Sequence, residues 1–282
     1  LCVYVKVLPM FTEAREEVFD KLVHLSKDDF IMKEDTVVYD ANGKKVGSVN
    51  AGSYKYVSIN DISPYIYDGY IAVEDKRFRT HGGVDLVATM RAGVSLLKHN
   101  MEITQGGSTI TQQVIKNNLL TQNKSYTRKI AEILLAPTIE SKFTKAQIME
   151  FYCNSNYYGN KCYGVGAASR YYFGKKCADL EPQEAAMLIG LSNSPAAYNP
   201  VLHPQAALKK RNRVLKTMCN DGVITPKEYK AAVKKKLNIK QLSEEGSSNE
   251  TYVISYAIHC SAISLMEKED FKFKYVFDSK VD

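Results

Sequence analysis

The sequence predicts a mainly α-helical protein with a small β-hairpin near its N terminus. From residue 63 to about residue 237, apolar residues recur at helical spacing, with breaks at Gly- and Asn-rich turns. Capping boxes mark helix starts at Thr109, Thr144 and Thr225, since Gln or Glu follows each threonine three residues later. Two apolar runs within residues 36–49 flank an Asn-Gly dipeptide, the pair that favours a two-residue hairpin turn.

The composition bounds the class of protein. Of 282 residues, 45% are hydrophobic and 24% are charged, which fits one large globular domain or one domain with small attachments. The net charge of +7 suits nucleic acid, an anionic membrane surface or a phosphate-bearing substrate, and equally a solubilising surface. The six cysteines form no C-x-x-C pair, which argues against a zinc ribbon or a thioredoxin-like site.

Three parts are predicted along the chain. Residues 1–35 are expected to form an N-terminal helical segment that follows a membrane anchor before residue 1, although the apolar start at residues 1–5 equally suits the end of a strand or helix. The main domain is predicted over residues 36–242. Residues 243–282 are predicted to hold a linker, marked by the small polar residues 243–250, and the start of a truncated following region.

Prolines refine the predicted helix starts of the main domain. Pro64 follows Ser63 and suits the first position of a helix. Pro226 follows the Thr225 cap in the same way. Pro182 indicates another helix start, with Asp179 just before it as the expected cap.

The first stretch whose residues suit catalysis covers residues 72–83. Glu74 and Asp75 end an apolar helix face, and a carboxylate at such a rim loses part of its hydration, which makes it a useful base. Phe78 lies one turn beyond Glu74 and is expected to shield it from water. The alternative is an ordinary charged helix end before a glycine turn.

The second stretch covers residues 105–117. Two glycines lead into the helix capped by Thr109, and the free N–H groups at a helix N terminus can hold a phosphate. Gln112 and Lys116 lie four residues apart on one face and are expected to extend that site. The alternative is a plain capped helix after a flexible loop.

The third stretch covers residues 128–136. Arg128 and Glu132 are four residues apart, which suits either an ordinary surface ion pair or a cationic site for pyrophosphate with a second carboxylate. Taken together, the three stretches supply a base for an acceptor hydroxyl and positive charge for a departing pyrophosphate. These are the requirements for sugar transfer from a pyrophosphate donor, in the manner of an inverting glycosidase.

Five stretches in this order resemble the motifs of glycosyltransferase family 51, the glycan-polymerising domain of class A penicillin-binding proteins and of monofunctional glycosyltransferases. Each motif alone is weakly specific, but five in order are highly specific, and the resemblance covers about residues 36–237. Cys153 departs from the family, which usually carries Leu there, and this difference is expected to affect packing only. The five stretches are residues 74–83, 107–113, 128–132, 151–175 and 184–215.

The resemblance implies a lysozyme-like glycosyltransferase fold with a globular head and a smaller, membrane-facing apolar jaw. An amphipathic helix packed on the core is the alternative for part of the jaw. The residues assigned to the jaw by analogy are Leu86, Val87, Met90, Val94, Leu96 and Leu97.

The resemblance also implies catalytic and binding roles. Glu74 corresponds to the general base that deprotonates the 4-hydroxyl of the acceptor N-acetylglucosamine, whose oxygen attacks C1 of the lipid-linked donor. The anomeric centre inverts, a β-1,4 bond forms and polyprenyl pyrophosphate leaves. Glu132 corresponds to a second essential acid that orients cations or the donor sugar. The implied substrate-binding residues are Asp75, Phe78, His81, Ser108, Thr109, Gln112, Gln113, Lys116, Lys124, Arg128, Lys129, Asn154 and Tyr158.

The implied partners are lipid II, the growing lipid-linked glycan chain and the membrane surface, with inhibition by moenomycin-type phosphoglycolipids and no nucleic acid. The implied location is the extracytoplasmic face of the bacterial cell membrane, and residues 243–282 would lead towards a transpeptidase. No cofactor is required by the sequence. A divalent cation, Mg²⁺ or Mn²⁺, is sometimes invoked for the family, with Asp75 as a ligand, but no D-x-D or paired-His cluster demands one.

Two other classes of function compete with this interpretation. Ser95 and Lys98 fit the S-x-x-K pattern of serine acyl-enzymes, but no K-T-G follows, so a labelled penicillin is not expected to acylate Ser95. Basic residues in the last third of the chain suit a binding module for membrane or nucleic acid, or a solvated helix face. These basic residues are Lys209, Lys210, Arg211, Arg213, Lys216, Lys234, Lys235 and Lys236.

Overall fold

The structure is a computed structural model that describes residues 25–31, 36–39, 45–49, 53–91, 107–120 and 126–241. The chain divides into two compact units. The larger consists of Leu1–Lys33 and Gly52–Leu242, and the smaller of Glu34–Ala51 and Ser243–Asp282. The boundaries predicted from the sequence, with one domain over residues 36–242, stay a prediction.

A β-hairpin is the described part of the smaller unit. Strand β1 (Thr36–Tyr39) pairs antiparallel with strand β2 (Lys45–Val49), with Thr36 opposite Val49. The register shifts between Val38 and Tyr39, next to the predicted turn. The hairpin predicted over residues 36–49 is therefore confirmed in its strands, while its Asn-Gly turn lies outside the described residues.

Helices dominate the larger unit, as predicted. The helices are α1 (Pro64–Glu74), α2 (Ile110–Asn118), α3 (Tyr126–Lys142), α4 (Lys145–Ser155), α5 (Gly164–Phe173), α6 (Pro182–Asn193), α7 (Pro204–Asn220) and α8 (Pro226–Lys234). Residues 86–91 are also helical. Two short strands, β3 (Ser53–Tyr54) and β4 (Cys162–Tyr163), pair in parallel. None of the helices in the described ranges is long and apolar enough to cross a membrane.

Short 3-10 helices occupy Lys27–Phe30, Ile59–Asp61 and Cys177–Asp179. The first is the described end of the segment predicted to be helical over residues 1–35; the rest of that segment lies outside the described residues. Its Phe30 ring stacks on Phe151 at 4.5 Å and meets Phe143 edge-on at 5.3 Å, which attaches this turn to α4.

Capping side chains begin the helices where the sequence predicts them. The Thr109, Thr144 and Thr225 side chains each accept a hydrogen bond from the backbone N–H three residues later. The cap expected at Asp179 is wrong. Glu181 caps α6 instead, in a reciprocal box with Glu184, because Asp179 belongs to the preceding 3-10 helix and the chain is extended at Glu181.

Helix α6 lies at the centre of the larger unit, against α1 and α7. Its Leu188 and Ile189 are fully buried. Gly69 lets α1 approach closely, since a Cβ there would lie 2.5 Å from the Ile189 side chain. Helices α2, α3 and α4 pack together as a second group. The C-terminal end of α1 and the exposed face of α2 thus come to a common cleft.

Candidate active site

Glu74 is the last residue of α1 and is half-buried at a wall shared by two cavities. The smaller cavity, about 360 Å³, is lined by residues 73–77 and 107–109 and by Asp85, Val87, Ala88 and Arg91. The larger cavity, about 530 Å³, is lined by Gln113 and Lys116 of α2, by residues of α4 and by the end of α6. A single carboxylate therefore faces two compartments, each large enough for part of a ligand.

Two neighbours hold the Glu74 side chain. Gln113 Nε2 donates a hydrogen bond to Glu74 Oε2 at 3.1 Å. The Tyr152 hydroxyl donates to Gln113 Oε1 at 3.3 Å and so fixes the amide. Burial raises the pKa of Tyr152 well above its usual range, and the charge of Glu74 raises it further, so the phenol stays a neutral donor.

Asp75 and His81 form a hydrogen-bonded pair at the C-terminal end of α1. Asp75 Oδ2 accepts hydrogen bonds from Ile110 N at 3.0 Å and from His81 Nε2 at 2.8 Å. The Gly83 N–H donates to His81 Nδ1 at 3.0 Å, so the ring proton is assigned to Nε2. Asp75 is only 6% exposed. Their hydrogen bonds join α1, the following turn and the start of α2.

The N terminus of α2, where a phosphate site is predicted, has backbone N–H groups that are bonded within the protein. The Asp75 carboxylate accepts from Ile110 N, and Thr109 Oγ1 accepts from Gln112 N, so protein groups occupy these donors. Thr109 and Gln112 are buried, and Gln112 Oε1 is bound to Thr109 N at 2.9 Å. A helix N terminus holds an external anion only when its N–H groups stay free, and here the chain satisfies them itself.

A cationic group on α3 contacts Ser108, which lines the smaller cavity. Glu132, on α3, is 3% exposed. Its carboxylate pairs with Arg128 Nε at 3.3 Å and with Lys129 Nζ at 2.6 Å. Lys129 Nζ also donates to Ser108 Oγ at 2.8 Å, which places Ser108 in the same group. The predicted pair of Arg128 and Glu132 is thus a buried network rather than an exposed surface pair.

Lys116 connects this group to Glu74. Burial lowers the pKa of the Lys116 ammonium, and the Glu132 carboxylate opposes the lowering. The charges of Arg128 and Lys129 lower it further, whereas Glu74 raises it. Three cations and two carboxylates therefore interact across the cleft. The lining of the larger cavity therefore includes one carboxylate, Glu74, and one ammonium, Lys116.

The sequence matches the transglycosylase family over residues 42–219. The chain belongs to this family. It is 46% identical over 204 residues to a penicillin-binding protein 1A of Aquifex aeolicus, which covers 72% of this chain and 28% of that protein. It is 39% identical over 220 residues to a penicillin-binding protein 1A of Pseudomonas aeruginosa, covering 78% and 27%. The chain thus spans a little over a quarter of the length of these relatives.

A crystal structure of penicillin-binding protein 1A from Haemophilus influenzae also aligns with this chain, at a TM-score of 0.43 and 19% identity, over 86% of this chain and 25% of that one. The family match confirms the resemblance and the enzyme class predicted from the motifs. The mainly helical architecture is the lysozyme-like fold expected of the transglycosylase domain.

Two residues predicted to bind substrate in the transglycosylase domain are buried in its core. The Asn154 side chain is fully buried and bridges to the backbone of Val57, with Nδ2 to O at 2.9 Å and Oδ1 to N at 2.9 Å. Tyr158 is also fully buried, and its hydroxyl bonds that of Tyr70 at 2.7 Å. Protein partners thus satisfy both side chains in this structure, and substrate contact by Asn154 or Tyr158 stays a prediction.

Phe78 packs beneath the turn that carries His81. It is fully buried, with its ring centroid 6.1 Å from the His81 ring and the Lys145 ammonium 4.6 Å above it. Its described contacts therefore stabilise the turn that carries His81, and a role in shielding Glu74 stays a prediction. Lys124 lies outside the described residues.

Lys210 of α7 contacts Asn193, which lines the larger cavity, and the sequence reasoning did not assign it to the site. Burial lowers the pKa of Lys210, and the Glu74 carboxylate opposes this, which places both charges in one electrostatic environment. Its Nζ donates to Asn193 Oδ1 at 3.2 Å and lies 5.1 Å from the Tyr198 ring centroid. In the sequence, Lys210 is one of several cations of a basic stretch, and spacing alone does not distinguish it from the others.

The part of the predicted jaw that the structure describes is exposed. Leu86, Val87 and Met90 are 69%, 52% and 63% exposed, and Val87 also lines the smaller cavity. These exposures oppose the alternative of a helix face packed on the core. Val94, Leu96 and Leu97 lie outside the described residues, as do Ser95 and Lys98 of the S-x-x-K pattern.

A divalent cation at Asp75 does not fit the described residues. The Asp75 Oδ2 atom is occupied by two hydrogen bonds, and a metal there would compete with His81 and with Ile110 N. In the part of the chain that the structure describes, no group of three or more His, Cys, Asp and Glu side chains is arranged to hold a metal ion. No catalytic step is therefore derived through a metal.

Proposed function

We propose that this transglycosylase domain polymerises lipid II into β-1,4-linked glycan strands. The observation that carries the proposal is the position of Glu74, which lines two cavities and shares the larger one with Lys116. The relatives are named penicillin-binding proteins, which supports a place in cell-wall synthesis. The activity of the whole protein is part of the same proposal.

In the proposed reaction, Glu74 removes the proton from the 4-hydroxyl of the acceptor sugar. The oxygen attacks C1 of the donor sugar as the bond from C1 to the pyrophosphate oxygen breaks, and the anomeric carbon inverts from α to β. The proton ends on the carboxylate and the electron pair of the broken bond leaves with the polyprenyl pyrophosphate. Gln113 supports the step by holding the carboxylate in place.

Positive charge stabilises the leaving group in this scheme. Lys116, Arg128 and Lys129 surround Glu132, which offsets part of their mutual repulsion and keeps them close together. As the pyrophosphate departs with more negative charge, the fixed cations stabilise it without reorganising. Glu132 therefore acts as a positioning residue for cations, in agreement with one of the two roles that the motifs imply.

The reaction is proposed to occur at the extracytoplasmic face of the bacterial membrane, where the lipid-linked substrate is held. The exposed Leu86, Val87 and Met90 support this placement, because apolar side chains at a cleft suit the boundary of a lipid layer. Moenomycin-type phosphoglycolipids, which combine sugars with a phosphate, are proposed to compete for the cationic group.

Glu74→Gln tests the proposal directly. With purified lipid II, this variant is expected to lose at least about a hundredfold in polymerisation rate, because the amide cannot accept the proton. Glycan strands separated by size measure the rate, and a phosphoglycolipid inhibitor should abolish the wild-type signal.

Asp179→Asn is the matched control, since Asp179 is exposed on a 3-10 helix and lines neither cavity. It should keep the wild-type rate. Wild-type polymerisation by Glu74→Gln would overturn the proposal, as would a wild-type chain that binds lipid II without joining it.

A further inference from the structure

The larger cavity has the lining of a saccharide site. Among the residues that line it, Glu74 and Lys116 are the charged ones. Uncharged amide and hydroxyl groups make up most of the remaining polar lining, which suits a ligand rich in hydroxyl and amide groups with an anion near Lys116. These uncharged polar residues are Asn117, Asn118, Asn156, Asn193, Ser155 and Ser192.

Tyr157 offers an aromatic surface in the same cavity. It is 40% exposed, one of the few large hydrophobic side chains with such exposure in the described part of the chain. Its ring contacts that of Tyr163, with centroids 4.8 Å apart and planes inclined by 40°. Its hydroxyl accepts a hydrogen bond from Lys161 N at 3.4 Å. The ring is therefore held by a ring contact and at its tip.

An unusual turn fixes the position of Tyr157. Gly159, Asn160 and Lys161 have φ values of 77°, 48° and 60°, three consecutive residues in the left-handed region. For Asn160 and Lys161 this conformation is sterically unfavourable, and such conformations persist where the surroundings impose them.

Hydrogen bonds impose the turn. Asn160 Nδ2 donates to the Tyr172 hydroxyl at 3.2 Å, and Asn160 Oδ1 accepts from Asn199 Nδ2 at 3.1 Å. The strands on either side meet in a bridge between Tyr157 and Tyr163. The core thus presents the Tyr157 ring in one orientation, although the ring itself contributes little to the core.

We propose that the Tyr157 ring, backed by Tyr163, is a stacking surface that positions one pyranose ring of the glycan substrate in the Glu74 cavity. This inference rests on the proposed function. The C–H groups on one face of a pyranose carry partial positive charge and pack on the negative face of an aromatic ring. The amides of the lining bond the hydroxyl groups at the ring edge.

Tyr157 is a positioning residue in this scheme, since it touches substrate but no reacting atom. Loss of its ring should weaken substrate binding and leave the chemical step intact. Tyr157→Ala and Tyr157→Leu are expected to raise KM for lipid II about tenfold, with kcat within about threefold of wild type. Tyr157→Phe keeps the aromatic face and should stay within about threefold in both constants.

A binding measurement separates this inference from the proposed function. The probe is a soluble tetrasaccharide of alternating N-acetylhexosamines, titrated by NMR into Glu74→Gln protein so that no turnover occurs. Adding Tyr157→Ala or Tyr157→Leu should weaken its binding about tenfold, whereas adding Tyr157→Phe should not. Tyr229→Ala, which removes a half-buried tyrosine of α8 that does not line the cavity, is the control and should bind as Glu74→Gln alone.

The results for Tyr157→Leu and for the wild type test the stacking role and the proposed function separately. Unchanged KM and tetrasaccharide affinity in folded Tyr157→Leu would overturn the stacking role, as would a fall in kcat at constant KM. If the wild type fails to polymerise lipid II but binds the tetrasaccharide in a Tyr157-dependent way, the proposed function fails and the stacking surface stands. Thermal unfolding of each variant shows that the comparison concerns folded protein.

Discussion

Lys116 is the residue whose chemistry depends most on its neighbours. Burial alone would favour its neutral form, and a neutral amine could not stabilise a pyrophosphate. The Glu132 carboxylate counteracts burial and keeps the ammonium charged over a wider pH range. In the proposed reaction, Glu132 therefore acts through the charge of Lys116.

The pH dependence of the reaction should reveal this coupling. As the pH rises through the lowered pKa of Lys116, the cation is lost, so activity should fall on the alkaline side below the ordinary lysine value of 10.5. Glu132→Gln should move this alkaline limb to lower pH, because it removes the carboxylate that raises the pKa. Lys116→Arg should move the limb to higher pH. Profiles of kcat/KM against pH provide the measurement.

Lys176→Arg is the control for the alkaline limb, since Lys176 is exposed and lines neither cavity of the site. Its profile should match the wild type. If the Lys116→Arg limb also coincides with the wild type, another group sets the alkaline limit.

Gly83 lies in close contact with α3. Its φ is 95°, and a Cβ there would lie 2.5 Å from the backbone of Ala136 on α3. Gly83→Ala should lower the free energy of unfolding by roughly 2–5 kcal/mol, from backbone strain and overlap together. Because the Gly83 N–H also supports His81, activity per folded molecule should fall as well. Urea denaturation and lipid II turnover measure the two effects.

The neighbouring glycine is a matched control. A Cβ at Gly82 would meet no atom within 4 Å, and the residue is exposed. Gly82→Ala should therefore stay within about 0.5 kcal/mol of wild-type stability and keep full activity. Equal effects at the two positions would contradict the account of a close approach to α3.

Among the secondary-structure elements, α8 has its C-terminal carbonyl groups bonded by a side chain from another helix. Arg211 of α7 is 1% exposed, and its guanidinium donates to the carbonyls of Lys235 at 2.7 Å and Val233 at 3.1 Å. These carbonyls close the C-terminal end of α8, where the backbone lacks partners and the helix dipole is negative. The Arg211 cation at this position supplies hydrogen-bond donors for the carbonyls and a positive charge for the negative end of the helix dipole.

Arg211→Met should destabilise the fold without touching the cleft. The loss of charged hydrogen bonds to buried carbonyls should cost at least about 1.5 kcal/mol in the free energy of unfolding, measured by urea denaturation. Arg213→Met, on the exposed side of the same helix, should stay within about 0.5 kcal/mol. An Arg211→Met protein as stable as Arg213→Met would show that water satisfies the end of α8.

Helix starts are the elements that the sequence predicts best. Three of the predicted caps, at Thr109, Thr144 and Thr225, are confirmed, because a capping box is complete within four residues. Asp179 shows the limit of such reasoning. The side chain has the right chemistry, but a 3-10 turn places it too early for α6.

At the scale of the whole molecule, the order of motifs predicts the family and the cleft but not the burial of single side chains. Glu74 and Glu132 both act on the pKa of Lys116, although the three residues lie on α1, α3 and α2 and are far apart in sequence. Asn154 and Tyr158 sit within an equally specific motif, yet they serve the core. A motif mixes residues for chemistry with residues for packing, and only long-range contacts separate the two.

The charged residues are unevenly distributed along the chain, which the net charge of +7 does not show. Residues 204–241 hold 11 Lys and Arg against two Asp and Glu, which leaves 27 basic and 29 acidic residues elsewhere. The basic excess thus belongs to the region of α7 and α8, where Arg211 is buried and Lys210 is half-buried. Net charge alone says little about the proposed pyrophosphate site, whose cations Lys116, Arg128 and Lys129 lie on α2 and α3.

The orientation of Tyr157 in the cavity has a spectroscopic consequence. The chain contains no Trp, so its intrinsic emission comes from tyrosines spread over the molecule. Tyr157→Trp would place a single indole fluorophore in the Glu74 cavity, backed by Tyr163 and partly in contact with water. A ligand that displaces that water would shift the emission to shorter wavelength, so occupancy of the site could be followed in real time without labelling the sugar.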